Sequence, residues 1–219
     1  IFVLLNFIPL ASGTGRFFIS NWHIDDFGVL MREVLMVSAI LGIWLAKDYF
    51  EHGGGGKPAM HQIAEFIGAI AFATFGGFTV VSACDLLTFF LGLEIATIPM
   101  YALAAWNKQD QYGSEAATKY ILMGSVATAF ELFGFSYLYG FAGSIHFDAI
   151  HDAVASGASP LLWIAVLFLF AGIGFKLTLF PFYTWAPDVY EGAPTPVTAV
   201  LSVTSKATAI AFLVVLIYG

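Results

Sequence analysis

Five charged side chains stand where a lipid-facing helix would carry none: Glu94, Lys119, Glu131, Lys176 and Lys206. Glu94 lies within "LTFFLGLEIATIPMYALAAW" (87–106), preceded by uncharged residues from Leu86 to Leu93 and followed by thirteen more. Carboxylates and amines at membrane depth are rare, face a bundle interior or water, and mark ion or proton pathways. The chemistry on offer is therefore proton exchange between carboxylate and ammonium groups. Plainer readings exist for each. Lys119, one to two turns into its helix, can snorkel to the interface, and Glu131 can be a neutral carboxylic acid bonded to a neighbour. Glu94, Lys176 and Lys206 can form a structural ion cluster, although buried ion pairs contribute little net stability.

The elements that carry these residues follow from composition. Of 219 positions 59% are hydrophobic and only 11% charged, with mean hydropathy +0.85; a soluble domain carries about 25% charged residues. Such a chain cannot cover its own surface with polar groups, so it is a polytopic membrane protein. A single cysteine, Cys84, excludes an intrachain disulfide and a cysteine-built zinc or iron–sulfur site.

Apolar runs long enough to span predict helices at about 27–50, 59–83, 85–106, 114–141, 160–184 and 196–217, with a partial helix at 1–11. Continuous runs of this length fit helices rather than the alternating strands of an outer-membrane barrel. The expected fold is an all-α transmembrane bundle of about six full helices in one domain. Both ends fall within apolar runs, so residues 1–219 read as part of a longer protein. Asp85 is placed to cap the third helix, and Ser114 with Glu115–Ala117 reads as the start of the fourth. The glycine run at 53–56 is a helix-breaking connection. Lys47, Lys57 and Lys108 on one side, against Arg16 and Arg32 on the other, lean the 107–113 loop toward the cytoplasm.

The stretch "GIGFKLTLFPFYTWAPDVYEGAPTPVTAVLSVTSK" adds a second signal. Gly172 and Gly174 flank Lys176, and Pro181 follows five residues later, so this helix is expected to be discontinuous. Broken backbone at membrane depth is tolerated where it lines a cavity. Thr195 and Pro196 read as N-cap and first residue of the next helix, placing Lys206 about 15 Å inside it. Tyr183, Trp185 and Tyr190, near helix ends, read as interfacial belt residues.

With "FLGLEIATIPMYALAAW", "SEAATKYILMGSVATAF" and this long segment, the chain resembles the subunit N family of proton-translocating NADH–quinone oxidoreductase (complex I). These are antiporter-like membrane subunits, and the resemblance runs in order from about residue 22 to 219. It implies the N-terminal half of a fourteen-helix fold built from two inverted repeats. By motif, Glu94 falls on the family's helix-five glutamate, Lys176 on its helix-seven lysine and Lys206 on its central helix-eight lysine. Lys119 also falls on a family lysine. Glu131 departs from the family, where an apolar residue is usual. His146 and His151 fall in what reads as a solvated loop.

The resemblance implies proton translocation coupled to quinone reduction, in a bacterial inner or an organellar inner membrane. NAD, FMN, iron–sulfur clusters and quinone would be bound by partner subunits, since no dinucleotide fingerprint or metal-ligand cluster is present here. Partners would be neighbouring antiporter-like and small membrane subunits. Glu94 is the expected partner of Lys176: at about 4 Å and an effective dielectric near 20 their attraction is about 4 kcal/mol, comparable to and opposed by burial of the charge. Two other classes stay open. A cation/proton antiporter or membrane-bound hydrogenase subunit would use the same residue types, and a structural assembly subunit would need none of them for transport.

Overall fold

The computed structural model describes residues 15–17, 22–24, 26–52, 60–107 and 110–218. Among the described residues, a two-stranded antiparallel ribbon, β1 (Gly15–Phe17) and β2 (Trp22–Ile24), precedes eight helices. These are α1 (Asp26–His52), α2 (Met60–Ser82), α3 (Leu86–Ala104), α4 (Gln111–Ala142), α5 (Phe147–Ser156), α6 (Pro160–Lys176), α7 (Trp185–Gly192) and α8 (Thr195–Tyr218). The small ribbon aside, the all-helical transmembrane bundle is as expected. The partial helix expected at 1–11 and the glycine connection lie outside the described residues, as do Lys57 and Lys108.

Among the described residues, five helices, α1 to α4 and α8, are long and apolar enough to cross a membrane. The sixth expected span is shorter: α6 has 17 residues, about 26 Å at 1.5 Å per residue, and the apolar run beyond it is not helical. The bundle turns the soluble pattern inside out. On α4 most buried positions are small, among them Gly113, Ala116, Ala117, Gly124, Ala127 and Gly134, beside Glu131 and the larger Tyr120, Phe135 and Leu138. Its exposed positions include Leu122, Val126 and Phe133. Lipid is as apolar as leucine, so helices are held by close packing of small residues rather than by burying large ones. Gly76 of α2 shows how close: a Cβ there would lie 2.2 Å from the Ala96 backbone nitrogen of α3.

Caps fix where the helices start. Asp85 accepts the Thr88 amide at 2.8 Å and the Thr88 hydroxyl at 2.8 Å, as its position predicted. This corner is stitched to the segment before α5 by Leu86 N–H to Ile145 (2.9 Å) and Phe147 N–H to Cys84 (3.1 Å). The fourth helix starts earlier than expected. Asp110, not Ser114, is its N-cap and accepts the Tyr112 amide at 3.0 Å. Likewise α8 starts one residue early: the Pro194 carbonyl takes the Val197 and Thr198 amides, so Thr195 is already helical.

Residues 147–156, read as loop, form α5, with Phe147 and Ile150 buried one turn apart. His151 holds this helix to the end of α8 through the Leu216 carbonyl at 2.8 Å. It is a packing residue rather than a solvated one. Arg32 also changes place: it is buried inside α1, its Nε donating to the Gly28 carbonyl at 3.1 Å.

Candidate functional site

Lys176 is the last helical residue of α6, and the backbone explains why the helix stops there. The Thr178 amide bonds the Phe175 carbonyl (3.1 Å) and the Leu179 amide bonds the Gly174 carbonyl (2.8 Å). This paired closure normally places glycine in the left-handed position. Here Thr178 occupies it at φ +56°, a conformation unfavourable for a β-branched residue. The break puts the ammonium of Lys176 at the negative end of the helix dipole, where a cation is favoured. The chain then runs through residues 177–184 into α7, so the expected discontinuity is present.

Three helices converge on Lys176. Its Nζ donates to the Thr97 hydroxyl of α3 at 3.4 Å and lies 4.0 Å from a carboxylate oxygen of Glu131 on α4. Thr97 is three residues after Glu94 and Thr128 three residues before Glu131, so each pair shares one helix face. The Thr128 hydroxyl donates to Glu94 at 3.1 Å. The result is a polar cluster on membrane-spanning helices: Thr128 of α4 binds Glu94 of α3, Lys176 faces Glu131 and donates to Thr97, and the Thr97 hydroxyl donates to the Leu93 carbonyl at 2.6 Å. Lys176 and Glu131 are both buried, at 7% and 2% side-chain exposure, and Glu94 is half-buried.

The expected Glu94–Lys176 contact is corrected here: among the described residues, the carboxylate within ion-pair distance of Lys176 is Glu131. The reason is packing. The α6 helix lies along α4, so its last residue meets α4 first, while Glu94 is held by Thr128. Gly172, one turn before Lys176, makes this approach possible. A Cβ there would fall 2.2 Å from the Glu131 Cγ and 3.1 Å from the Ala127 carbonyl oxygen.

The other two lysines are placed differently. Lys206 of α8 is half-buried, donates to the Tyr190 hydroxyl and lies over the Trp185 and Tyr190 rings at 5.8 and 5.1 Å. Cation–π contact gives the charge a partner that needs no carboxylate. Burial holds the Tyr190 phenol, on the short helix α7, above its usual range, so it stays a neutral partner. Lys119 lies outside the polar cluster. It pairs with Asp188 of α7 at 2.5 Å and Glu115 at 2.7 Å, all three side chains substantially exposed.

Two aromatic residues assigned to the interfacial belt belong to this region instead. Trp185 is buried, stacks between Tyr120 (5.0 Å) and Phe175 (4.7 Å), and donates its indole N–H to the Phe175 carbonyl at 3.1 Å. Tyr190 holds Lys206. The signal in the sequence was their position within the Lys176–Lys206 segment, between the two lysines. Tyr183, by contrast, is exposed, as a belt residue would be.

Between Lys176 and α8 lies a cavity lined by Thr97, Tyr120, Trp185, Thr204, Ser205 and Thr208 among others, with about 20 Å³ free. That is room for a water molecule with polar partners on two sides. Trp185 lines this cavity and also carries Lys206 against its ring, so the two lysines share one wall.

Comparison with known proteins agrees with this architecture. NADH-quinone oxidoreductase subunit N of Granulibacter bethesdensis is 36% identical over 214 residues, covering 97% of this chain and 44% of its own length. Subunit N of Heliobacterium modesticaldum is 43% identical over 213 residues, covering 97% and 43%. Among solved structures, a chain of respiratory complex I from Thermus thermophilus superposes with TM-score 0.77 at 31% identity, over 97% of this chain and 46% of that one. A chain of an archaeal membrane-bound sulfane sulfur reductase has TM-score 0.78 at 24% identity over 96% and 44%, a likeness of fold alone. The chain thus spans a little under half the length of these relatives. Residues 83–218, which hold every residue of the polar cluster, match the family described as NADH:quinone oxidoreductase/Mrp antiporter, TM, and the chain belongs to that family.

Proposed function

We propose that this chain is part of a proton-translocating membrane-arm subunit of NADH–quinone oxidoreductase, a translocase component with no redox site of its own. The carrying observation is the polar cluster of buried Glu131 and Lys176 with half-buried Glu94, Thr128 and Thr97, built by a family member on membrane-spanning helices. Charged groups survive there when they are partnered and when function retains them. In this reading Lys176 is the gated proton carrier, Glu94 modulates it, and Lys206 relays the proton onward. Lys119 serves at the rim, through its bridge to α7.

The physics of gating is one of small distances. Lys176 sits 4.0 Å from Glu131, and a charge-assisted N–H···O bond closes at about 2.7–2.9 Å. A shift of roughly 1 Å therefore decides between a loose ion pair and a bonded one, and at an effective dielectric near 20 a full pair at this range is worth about 4 kcal/mol. Motion of α6, whose break adjoins Lys176, is enough to move the ammonium between Glu131 and the Thr97 side. A released proton enters the cavity water and passes Trp185 toward Lys206.

The redox groups (NAD, FMN, iron–sulfur clusters and quinone) are placed in partner subunits, with neighbouring antiporter-like and small membrane subunits as direct contacts. The residues described here are assigned to one half of a longer antiporter-like fold in a bacterial inner membrane or an organellar equivalent. The test is Glu94→Gln and Lys176→Ala in the full-length protein at normal assembly. Both should reduce proton pumping at least tenfold, and unchanged pumping in both would sink the assignment. The family name also covers Mrp antiporters, and transport that requires sodium rather than a redox substrate would move the assignment there.

A further inference from the structure

The Glu131 oxygen that faces Lys176 is buried and accepts no hydrogen bond. Its contact with the ammonium, at 4.0 Å, is about 1 Å too long for a charge-assisted bond. The fold has made room for this carboxyl: Gly172 is backed against its Cγ, where any side chain would collide. Glu94 lies close enough to act on Glu131 electrostatically, and both act on Tyr101.

Charge balance then becomes specific. Two ionised carboxylates around one ammonium leave the site at −1 within the bundle. Unbalanced charge at this depth is costly, and carboxylates that share a site do not both ionise readily. One additional proton makes the site neutral and supplies what the orphaned oxygen lacks.

We propose that Glu131 is a second proton-binding carboxylate of this site, holding with Glu94 one shared proton beyond the proton on Lys176. The inference rests on the translocation reading for its purpose, and is measured independently of it. When Lys176 gives its proton to cavity water, an N–H bond breaks and an amine remains. The shared carboxyl proton then moves to that amine, its O–H bond breaking as the new N–H forms, and the emptied carboxylate refills from the Glu94 side. The site thus holds a proton in reserve and reloads Lys176 without waiting for bulk water.

The groups that face Glu131 are Lys176 from α6 and Glu94 and Tyr101 from α3; among the described residues none from α5 or α7 acts on it. The experiment is pH-dependent infrared difference spectroscopy on the full-length protein in its assembled complex, reconstituted in phospholipid vesicles. Wild type should show a carboxylic C=O band that shifts in deuterated water. Glu131→Gln should remove or displace it, and Glu131→Asp should keep it with a moved titration midpoint. Lys176→Met removes the neighbouring cation and should raise that midpoint by roughly 1–3 pH units. A band unaffected by Glu131→Gln, or a midpoint unmoved in Lys176→Met, would overturn the proposal. If Glu131→Gln does not assemble, Glu131→Asp decides, and a midpoint equal to wild type counts against it. Wild-type pumping in Lys176→Ala would defeat the translocation reading alone, since it leaves the infrared result untouched.

Discussion

Lys119 and Lys176 are each set between two acidic residues, yet they differ sharply in burial. Lys119 bridges Asp188 and Glu115 with all three side chains substantially exposed. Lys176 faces Glu131, with Glu94 held by Thr128, and its own side chain is 7% exposed. At the rim, water and salt screen the charges and the ion pairs contribute little. In the interior the same groups have no such alternative, so each proton and each ångström counts. Residue type alone does not separate the two lysines; burial does.

Three substitutions sharpen this contrast. The largest effect is expected for Gly172→Ala. Its new Cβ has 2.2 Å to the Glu131 Cγ, and overpacking of this kind costs about 1–3 kcal/mol. Unfolding of the full-length protein in denaturing detergent should register that loss, with pumping reduced as Lys176 and Glu131 move apart. Tyr190→Phe is next. It leaves the rings beside Lys206 but removes the hydroxyl that accepts from the ammonium. Hydrogen bonds to charged groups are worth roughly 1.5–3 kcal/mol, and partial exposure of Lys206 discounts this to a several-fold loss in pumping rate. Asp188→Asn should do least: it weakens an exposed pair, and pumping should stay within about twofold of wild type, the small difference vanishing at high salt.

Much of this was legible in the chain. Charges inside apolar runs identified Glu94, Glu131, Lys176 and Lys206 because lipid makes such residues conspicuous. Asp85 was legible as a cap because its chemistry is local. What local reasoning missed was choice of neighbour. Lys176 pairs with Glu131 because α6 lies along α4, and only the glycine at 172, one turn from the lysine, hinted at that approach. Trp185 and Tyr190 were misplaced at the interface for the same reason. An aromatic near a helix end can face lipid headgroups or turn inward, and packing against Tyr120 and Phe175 decided the matter. The helix at 147–156 was missed because the two His and two Asp residues of the 142–159 stretch outweighed the three-residue spacing of Phe147 and Ile150.

The central claim is that the buried lysine carries protons and the rim lysine does not. It is tested most directly by measuring protons moved per quinone reduced in vesicles containing full-length, assembled complex, with Lys176→Ala and Lys119→Ala side by side. The account predicts that Lys176→Ala lowers the ratio and slows pumping at least tenfold, while Lys119→Ala stays within about twofold of wild type. Equal losses in the two variants, or wild-type pumping in Lys176→Ala, would contradict it.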